Sequence, residues 1–155
     1  MNILAYCAAS FQQSARRAAG AQPLTCPPLT ATTFDVGLLA GRDLLYFDLH
    51  GGPGQACWYG DDRLPALRAE QLRYVNLQGA LVFVLNCYLA DRNSPMLDAL
   101  LDAGAHYVIG GDGLNYAGQV QLQGASLLGL WFRRLLEIGL PPMRALALAK
   151  QRVRL

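Results

Sequence analysis

The sequence has 155 residues, of which 53% are hydrophobic and only 15% are charged, with a formal net charge of +2. A chain of this length can bury a hydrophobic core without disulfide or metal crosslinks, so we predict a single domain over residues 1–155. The composition excludes a disordered tail or a highly charged adaptor. The small net charge argues against a nucleic-acid or membrane-surface partner.

Apolar segments typical of strands alternate with segments typical of helices. In chain order, the pattern predicts a strand at 3–7, a helix at 11–21, a loop with at most a short edge strand at 23–33, a short helix at 34–40 and a strand at 43–49. After these come a helix within 64–77 begun by Pro65, a strand at 80–85, a helix at 95–103 and a strand at 105–109. The pattern ends with a helix at 124–138 and a last helix that Pro141-Pro142 starts and that runs through 145–153. The strands are apolar throughout instead of alternating, which indicates a sheet buried on both faces. We therefore predict an α/β fold with a mainly parallel sheet flanked by helices.

The four cysteines, Cys7, Cys26, Cys57 and Cys87, form no C-x-x-C pair. This spacing matches neither a zinc signature nor a disulfide framework, so we predict no metal site and a reduced, cytoplasmic protein. The amino terminus lacks the basic region of a signal peptide. The purest apolar run, 81–85, is far shorter than the roughly 20 residues that span a bilayer. Glycine-rich phosphate-binding motifs are absent from the sequence, and we predict no cofactor.

Candidate functional residues follow the predicted strands, at the edge where ligands bind in open parallel sheets. His50 precedes Gly51 and Gly52, so its imidazole can act as a general base beside free backbone N–H groups. A structural histidine beside a turn explains the pattern equally well. Cys87 ends the next strand, where an imidazole would activate its thiol as a nucleophile, although a lone strand-end cysteine more often packs in a core. The placement of both residues on successive strands favours catalysis.

Three aspartates lie near these strand ends. Asp48 lies two residues before His50 and can either orient the imidazole or bind a backbone amide. Asp112 follows the strand 105–109 in a glycine turn, where it can face a basic substrate group or, more often, cap the turn. Asp61, beside a second aspartate, has the pattern of a solvated turn.

Longer stretches of the sequence resemble one family. The approach to His50-Gly51, the segment 77–87 that ends in Asn86-Cys87, and the unit 100–110 are similar to the CHAT domains, relatives of caspases, separases and gingipains in clan CD. The segment 136–150 resembles their closing helices, so the resemblance covers about residues 29–153.

This resemblance implies a three-layer caspase-like fold and cysteine endopeptidase activity on a protein or peptide substrate. It implies His50 as the base, Cys87 as the nucleophile, and the backbone N–H groups of Gly51 and Cys87 as the oxyanion hole. A peptidase without a built-in regulator implies control by a partner protein or an inactive resting state.

The sequence departs from the family in three ways. Leu85 occupies the position where metacaspases carry a pocket aspartate, residues 111–115 replace an Asp-rich turn, and the chain stops at residue 155 before the usual last strand. A preference for basic side chains would then come from Asp112. Trp58, Leu114 and Tyr116 are alternative pocket residues that favour an apolar side chain.

Two other functions are compatible with the same residues. One is a catalytically silent CHAT-like module that binds a partner. The other is a flavodoxin-like domain that holds a small ligand at the crevice.

Overall fold

The computed structural model describes residues 1–153, which form seven β-strands and four α-helices. The strands are β1 (Ile3–Ala8), β2 (Leu24–Cys26), β3 (Leu44–Asp48), β4 (Cys57–Tyr59), β5 (Pro65–Arg68), β6 (Leu81–Val84) and β7 (Tyr107–Ile109). The helices are α1 (Gln12–Ala19), α2 (Pro95–Asp102), α3 (Ala125–Glu137) and α4 (Pro142–Val153). In this part of the chain, no helix has the length and hydrophobicity needed to cross a bilayer.

Five of the strands form one parallel sheet in the order β2-β1-β3-β6-β7. β3 and β6 are direct neighbours, with Tyr46 opposite Phe83 and Phe47 opposite Val84. The predicted parallel sheet, and the adjacency of the strands that precede His50 and Cys87, are therefore confirmed. Because the strands are parallel, their carboxyl ends all lie at one edge.

One face of the sheet is covered by α1, α3 and α4. Tyr46 and Phe83 point to this side, where the Phe83 ring stacks on Tyr46 at 5.8 Å and on Phe132 of α3 at 5.4 Å. Gly129 allows this close contact, because a Cβ atom there would lie 2.8 Å from the Tyr46 ring. The small alanines of α1 pack on the same face.

The other face is covered by α2, by the antiparallel hairpin β4–β5, and by a 3₁₀ helix at Ala69–Tyr74. Phe47 points to this side and contacts the Trp58 ring at 5.1 Å. Successive side chains of a strand point to opposite faces of the sheet, so alternate residues of β3 and β6 pack in the two different cores. The result is the predicted three-layer α/β architecture.

The hairpin corrects the predicted helix within 64–77. Pro65 begins strand β5 rather than a helix, at the strand-end position that proline tolerates, and its carbonyl accepts a hydrogen bond from Ala31 N–H at 2.7 Å. Trp58 of β4 is buried against the sheet, and the pairing of β4 with β5 keeps residues 65–68 in a strand although their local sequence favours a helix. The predicted helix at 34–40 is a 3₁₀ turn at Val36–Leu39, capped by the Asp35 carboxylate.

Candidate functional site

A cleft of about 990 Å³ opens at the carboxyl edge of the sheet, beyond β1 and β3. Its walls come from four segments: the residues after β1, the residues after β3, the loop of the β4–β5 hairpin, and the segment between β7 and α3. The lining side chains include Ser10, His50, Gln55, Asp61 and Gln119. Several polar side chains therefore converge on one concave space, as in small-molecule and substrate sites.

The hairpin fixes the position of His50. The His50 N–H donates to the Tyr59 carbonyl at 2.8 Å, and the Tyr59 N–H donates to the His50 carbonyl at 2.9 Å. These two hydrogen bonds fix the backbone of His50 at both its N–H and its carbonyl group. The side chain itself is half-exposed in the cleft.

Asp61 is the carboxylate nearest to the imidazole. Its Oδ1 lies 3.7 Å from His50 Nε2, and its two oxygens accept 2.7 Å hydrogen bonds from the N–H and hydroxyl of Ser10. The Phe11 ring contacts the other side of the imidazole at 5.3 Å. Asp61 thus lies in a partly exposed turn, as predicted, but the hairpin also brings its carboxylate to the cleft, where Ser10 anchors it.

Asp48 does not orient His50. Regular strand geometry ends at Asp48, so the same-face relation between the two residues is lost where His50 turns to pair with the hairpin. The Asp48 side chain is only 2% exposed, and its Oδ2 has no hydrogen-bond partner within residues 1–153. Burial raises the pKa of this carboxyl to about 7. Asp61, and not Asp48, is therefore the carboxylate that faces His50.

Cys87 lies three residues after the end of β6, beside the loop that begins with Gly51. A Cβ atom added to Gly51 would lie 2.6 Å from the Cys87 carbonyl oxygen, so the two backbones are in close contact. The Cys87 sulfur accepts a hydrogen bond from the Asn115 N–H at 3.3 Å. Tyr88, the next residue, has a φ of 61°, a conformation that non-glycine residues seldom adopt. Such local strain often accompanies functional turns.

The two proposed oxyanion donors are available. Neither the Gly51 N–H nor the Cys87 N–H donates to a backbone carbonyl of residues 1–153. The neighbouring Tyr88 N–H, by contrast, is used by the Gly113 carbonyl at 2.8 Å. The amides of Gly51 and Cys87 can therefore serve a bound carbonyl oxygen.

The thiol and the imidazole have different partners in this structure. The Cys87 sulfur bonds to the backbone of Asn115, whereas the His50 ring faces Asp61. In residues 1–153, no hydrogen bond joins Cys87 to His50 directly. The predicted Cys87–His50 dyad thus has its two members at adjacent strand ends, and their direct contact stays a prediction.

The remaining cysteines are poor nucleophile candidates. Cys7, Cys26 and Cys57 are all buried, whereas Cys87 is partly exposed. Burial raises the pKa of each of these three thiols, which disfavours the reactive thiolate.

The predicted pocket residues do not assemble around the cleft. Leu85 and Trp58 are 3% and 2% exposed and pack in the two cores, so neither presents a surface to a substrate. Asp112 is exposed, and it lines a separate cavity of about 740 Å³ together with Leu114 and Tyr116. Asp112 is therefore not part of the His50 cleft, and its role in a preference for basic side chains stays a prediction.

Sequence reasoning missed Ser10, Asn115 and the role of Asp61. The Cys57–Tyr59 run followed by Gly60 and two aspartates is a hairpin signal that identifies the Asp61 turn. Ser10 and Asn115 carry no such signal, because only the folded chain brings them to the site. In residues 1–153, no three His, Cys, Asp or Glu side chains are grouped to hold a metal ion.

Comparison with known proteins gives no family for this chain. No family model and no curated protein matches it. Among solved structures, the chain is similar to oxidised Flavodoxin 1 from Bacillus cereus, with a TM-score of 0.44 and 12% sequence identity over 90% of this chain and 98% of that chain. A similarity this loose carries no weight for function, and the resemblance to the CHAT domains stays a prediction.

Proposed function

We propose that this protein is a cysteine peptidase that hydrolyses peptide bonds with Cys87 as the nucleophile and His50 as the base. The observation that carries the proposal is the position of the two residues. They follow the adjacent parallel strands β6 and β3, and the loop after His50 contacts the backbone of Cys87. A thiol and an imidazole at neighbouring strand ends form the arrangement that nucleophilic catalysis needs.

In the first step, the Cys87 sulfur attacks the carbonyl carbon of the scissile peptide bond, and its proton passes to His50. The developing oxyanion accepts hydrogen bonds from the free amides of Gly51 and Cys87. His50 then returns the proton to the leaving amine, which leaves an acyl group on the sulfur. Water, deprotonated by His50, hydrolyses this thioester and releases the carboxyl product, with the thiol restored.

Asp61 acts through His50 as a positioning residue. Its carboxylate faces Nε2 and is itself held by two hydrogen bonds from Ser10. A carboxylate fixed in this place orients the ring with Nε2 towards Asp61, which leaves Nδ1 for the thiol. The Phe11 ring limits rotation of the imidazole.

The hydrogen bonds of Cys87 to the Asn115 backbone define a resting state. Catalysis requires the sulfur to leave Asn115 and approach the imidazole. A substrate or a protein partner that moves the 111–115 loop would release it. This need for release supports control by a partner.

The test is cleavage of a mixed peptide library by the purified full chain, read by mass spectrometry. Cleavage is expected to be lost in Cys87→Ala and to fall about 10²–10⁴-fold in His50→Ala, because the general base is removed. Cys57→Ala is the matched control and should retain activity, since its thiol is buried. Equal activity of Cys87→Ala and wild type would exclude the proposed nucleophile.

A second candidate function is binding of a small polar ligand in the cleft. The five parallel strands β2-β1-β3-β6-β7, numbered among themselves in chain order, have the order 2-1-3-4-5 of flavodoxin-like doubly wound folds. In such folds, ligands bind at the topological switch point between the first and third strands, which here are β1 and β3. The cleft lies beyond these two strands, with Ser10 on one side and His50 on the other. Native mass spectrometry of the purified chain separates the candidates. A retained small molecule that survives in Cys87→Ala, with no peptide cleavage by wild type, would favour binding.

A further inference from the structure

Charged side chains are divided unequally between the two faces of the molecule. α1, α3 and α4 together carry seven basic residues and one acidic residue, Glu137, for a formal charge of +6. The other residues within 1–153 comprise five basic and ten acidic ones, for a formal charge of −5. The charges of this near-neutral chain are therefore unevenly distributed, with most basic side chains on these three helices, although its net charge alone suggests no partner.

The outer surface of the three helices is the basic face. The exposed residues that define it are Arg16, Arg17, Arg134, Arg144, Lys150 and Arg152. The guanidinium groups of Arg134 and Arg152 lie 5.5 and 4.4 Å from the centre of the Trp131 ring, so the face includes an aromatic side chain between two cations.

The opposite face carries an acidic groove. A cavity of about 720 Å³ lies between α2 and the 69–76 segment, and its charged lining residues are Glu70, Asp98 and Asp102 with Arg73. α2 and this segment cover the sheet on the side away from α1, α3 and α4. The acidic groove and the basic face are thus on opposite sides of one molecule.

Both surfaces also carry exposed apolar side chains. Ile138 and Met143, beside Arg144 at the α3–α4 turn, are 72% and 60% exposed. Tyr74 and Leu101, beside the acidic groove, are 85% and 49% exposed. Apolar side chains within a charged surround are typical of protein–protein interfaces, in which aromatic residues and arginine contribute most of the binding energy.

We propose that the basic face of one molecule docks on the acidic groove of a second copy of the same chain. One molecule carries both complementary surfaces, and the low net charge leaves little overall repulsion between copies. Because the two surfaces lie on opposite sides of the molecule, the contact is head-to-tail, and copies add one after another into a ring or an open filament. The proposal is independent of the peptidase activity.

Sedimentation velocity and light scattering of the purified full chain test this contact. The mean mass is expected to rise with protein concentration at about 0.1 M salt, without a plateau at the dimer. It should fall towards the monomer at about 1 M salt, where the screening length drops from about 10 Å to about 3 Å.

Two charge-reversal variants identify the surfaces. Arg134→Glu/Arg144→Glu alters the basic face, and Glu70→Lys/Asp102→Lys alters the acidic groove. Each variant alone is expected to associate at least tenfold more weakly than wild type, because like charges then meet across the contact. Arg92→Glu, an exposed reversal outside both surfaces, should associate like wild type. Circular dichroism of each variant verifies that it is folded.

Mixing the two variants in equal amounts is the decisive experiment. The basic-face variant retains its acidic groove and the groove variant retains its basic face, so one pairing between the two variants is the native one. The other pairing joins a face reversed to acidic with a groove reversed to basic, and their charges are again opposite. The mixture is therefore expected to associate more strongly than either variant alone. A monomeric mixture, a wild type that remains monomeric at low salt, or a wild-type dimer that grows no further would overturn the proposal. Binding of a monomeric wild type to anionic phospholipid vesicles, lost in Arg134→Glu/Arg144→Glu, would assign the basic face to a membrane instead.

Discussion

Replacement of Asp48 by asparagine should remove a pH dependence of folding that comes from one buried carboxyl. Burial raises the pKa of Asp48 from 3.8 to about 7 in the folded state. Between these two values the folded chain binds a proton that the unfolded chain has lost. The free energy of unfolding therefore falls as the pH rises from about 4 to about 7, and it stays lowered above that.

The size of the effect follows from the pKa change. Each pKa unit corresponds to about 1.4 kcal/mol, and a rise of about three units gives about 4 kcal/mol at pH 8. This is a large share of the roughly 5–15 kcal/mol by which domains are stable. The environment of Asp48 explains the shift, because its Oδ2 and the hydroxyl of Tyr46 are both buried without partners within residues 1–153. Asparagine has the shape of the protonated acid and carries no charge at any pH.

Urea unfolding followed by circular dichroism, at several pH values from about 5 to about 8, measures the difference between variant and wild type. The Asp48→Asn variant is expected to gain stability over wild type as the pH rises, by up to about 4 kcal/mol at pH 8. Asp102→Asn, a substitution of an exposed carboxyl on α2, is the control and should show no such trend. A difference between Asp48→Asn and wild type that is constant with pH, or that grows as the pH falls, would refute the reasoning.

Three other substitutions or reactions test the site and its support. Iodoacetamide should label Cys87 well before the three buried cysteines, as read by peptide mapping, and equal labelling of all four would contradict the burial described here. Gly51→Ala should lower the free energy of unfolding by about 1–3 kcal/mol, because its Cβ meets the Cys87 carbonyl. An unchanged melting temperature in calorimetry would argue against that contact. Trp58→Ala should cost about 3–5 kcal/mol in urea unfolding, since its ring is buried against Phe47. A cost below about 1 kcal/mol would mean that the hairpin is not anchored by this ring.

Much of the central sheet could be predicted because its strands are continuous apolar runs. The segments 43–49 and 80–85 carry the strongest such patterns, and both form strands within one residue or two of the predicted bounds. The Gly139 position also ends α3 as expected, with a φ of 86°. Local patterns suffice in these places because burial on both faces leaves only one compatible structure.

The hairpin could not be predicted with the same ease. Residues 65–77 contain alanine, leucine, glutamate and glutamine, which favour a helix when considered alone. Strand β5 is stable only because β4 pairs with it and Trp58 packs on the sheet beneath. Such non-local contacts have no signature in the local sequence, and the same limit hid the contact between Ser10 and Asp61, which are 51 positions apart.

The hairpin links the stability of the fold to the chemistry of the cleft. Tyr59 in the first strand of the hairpin forms two hydrogen bonds with the backbone of His50, and the hairpin loop carries Asp61. The buried Trp58 ring packs the hairpin against Phe47 of the sheet. The Cys87 side of the site is held separately, by the 111–115 loop. Because different segments carry the proposed base, His50, and the proposed nucleophile, Cys87, their separation can change while the sheet stays fixed. A resting site that a partner or substrate assembles is therefore compatible with a rigid core, and movement is needed only in the two flanking loops.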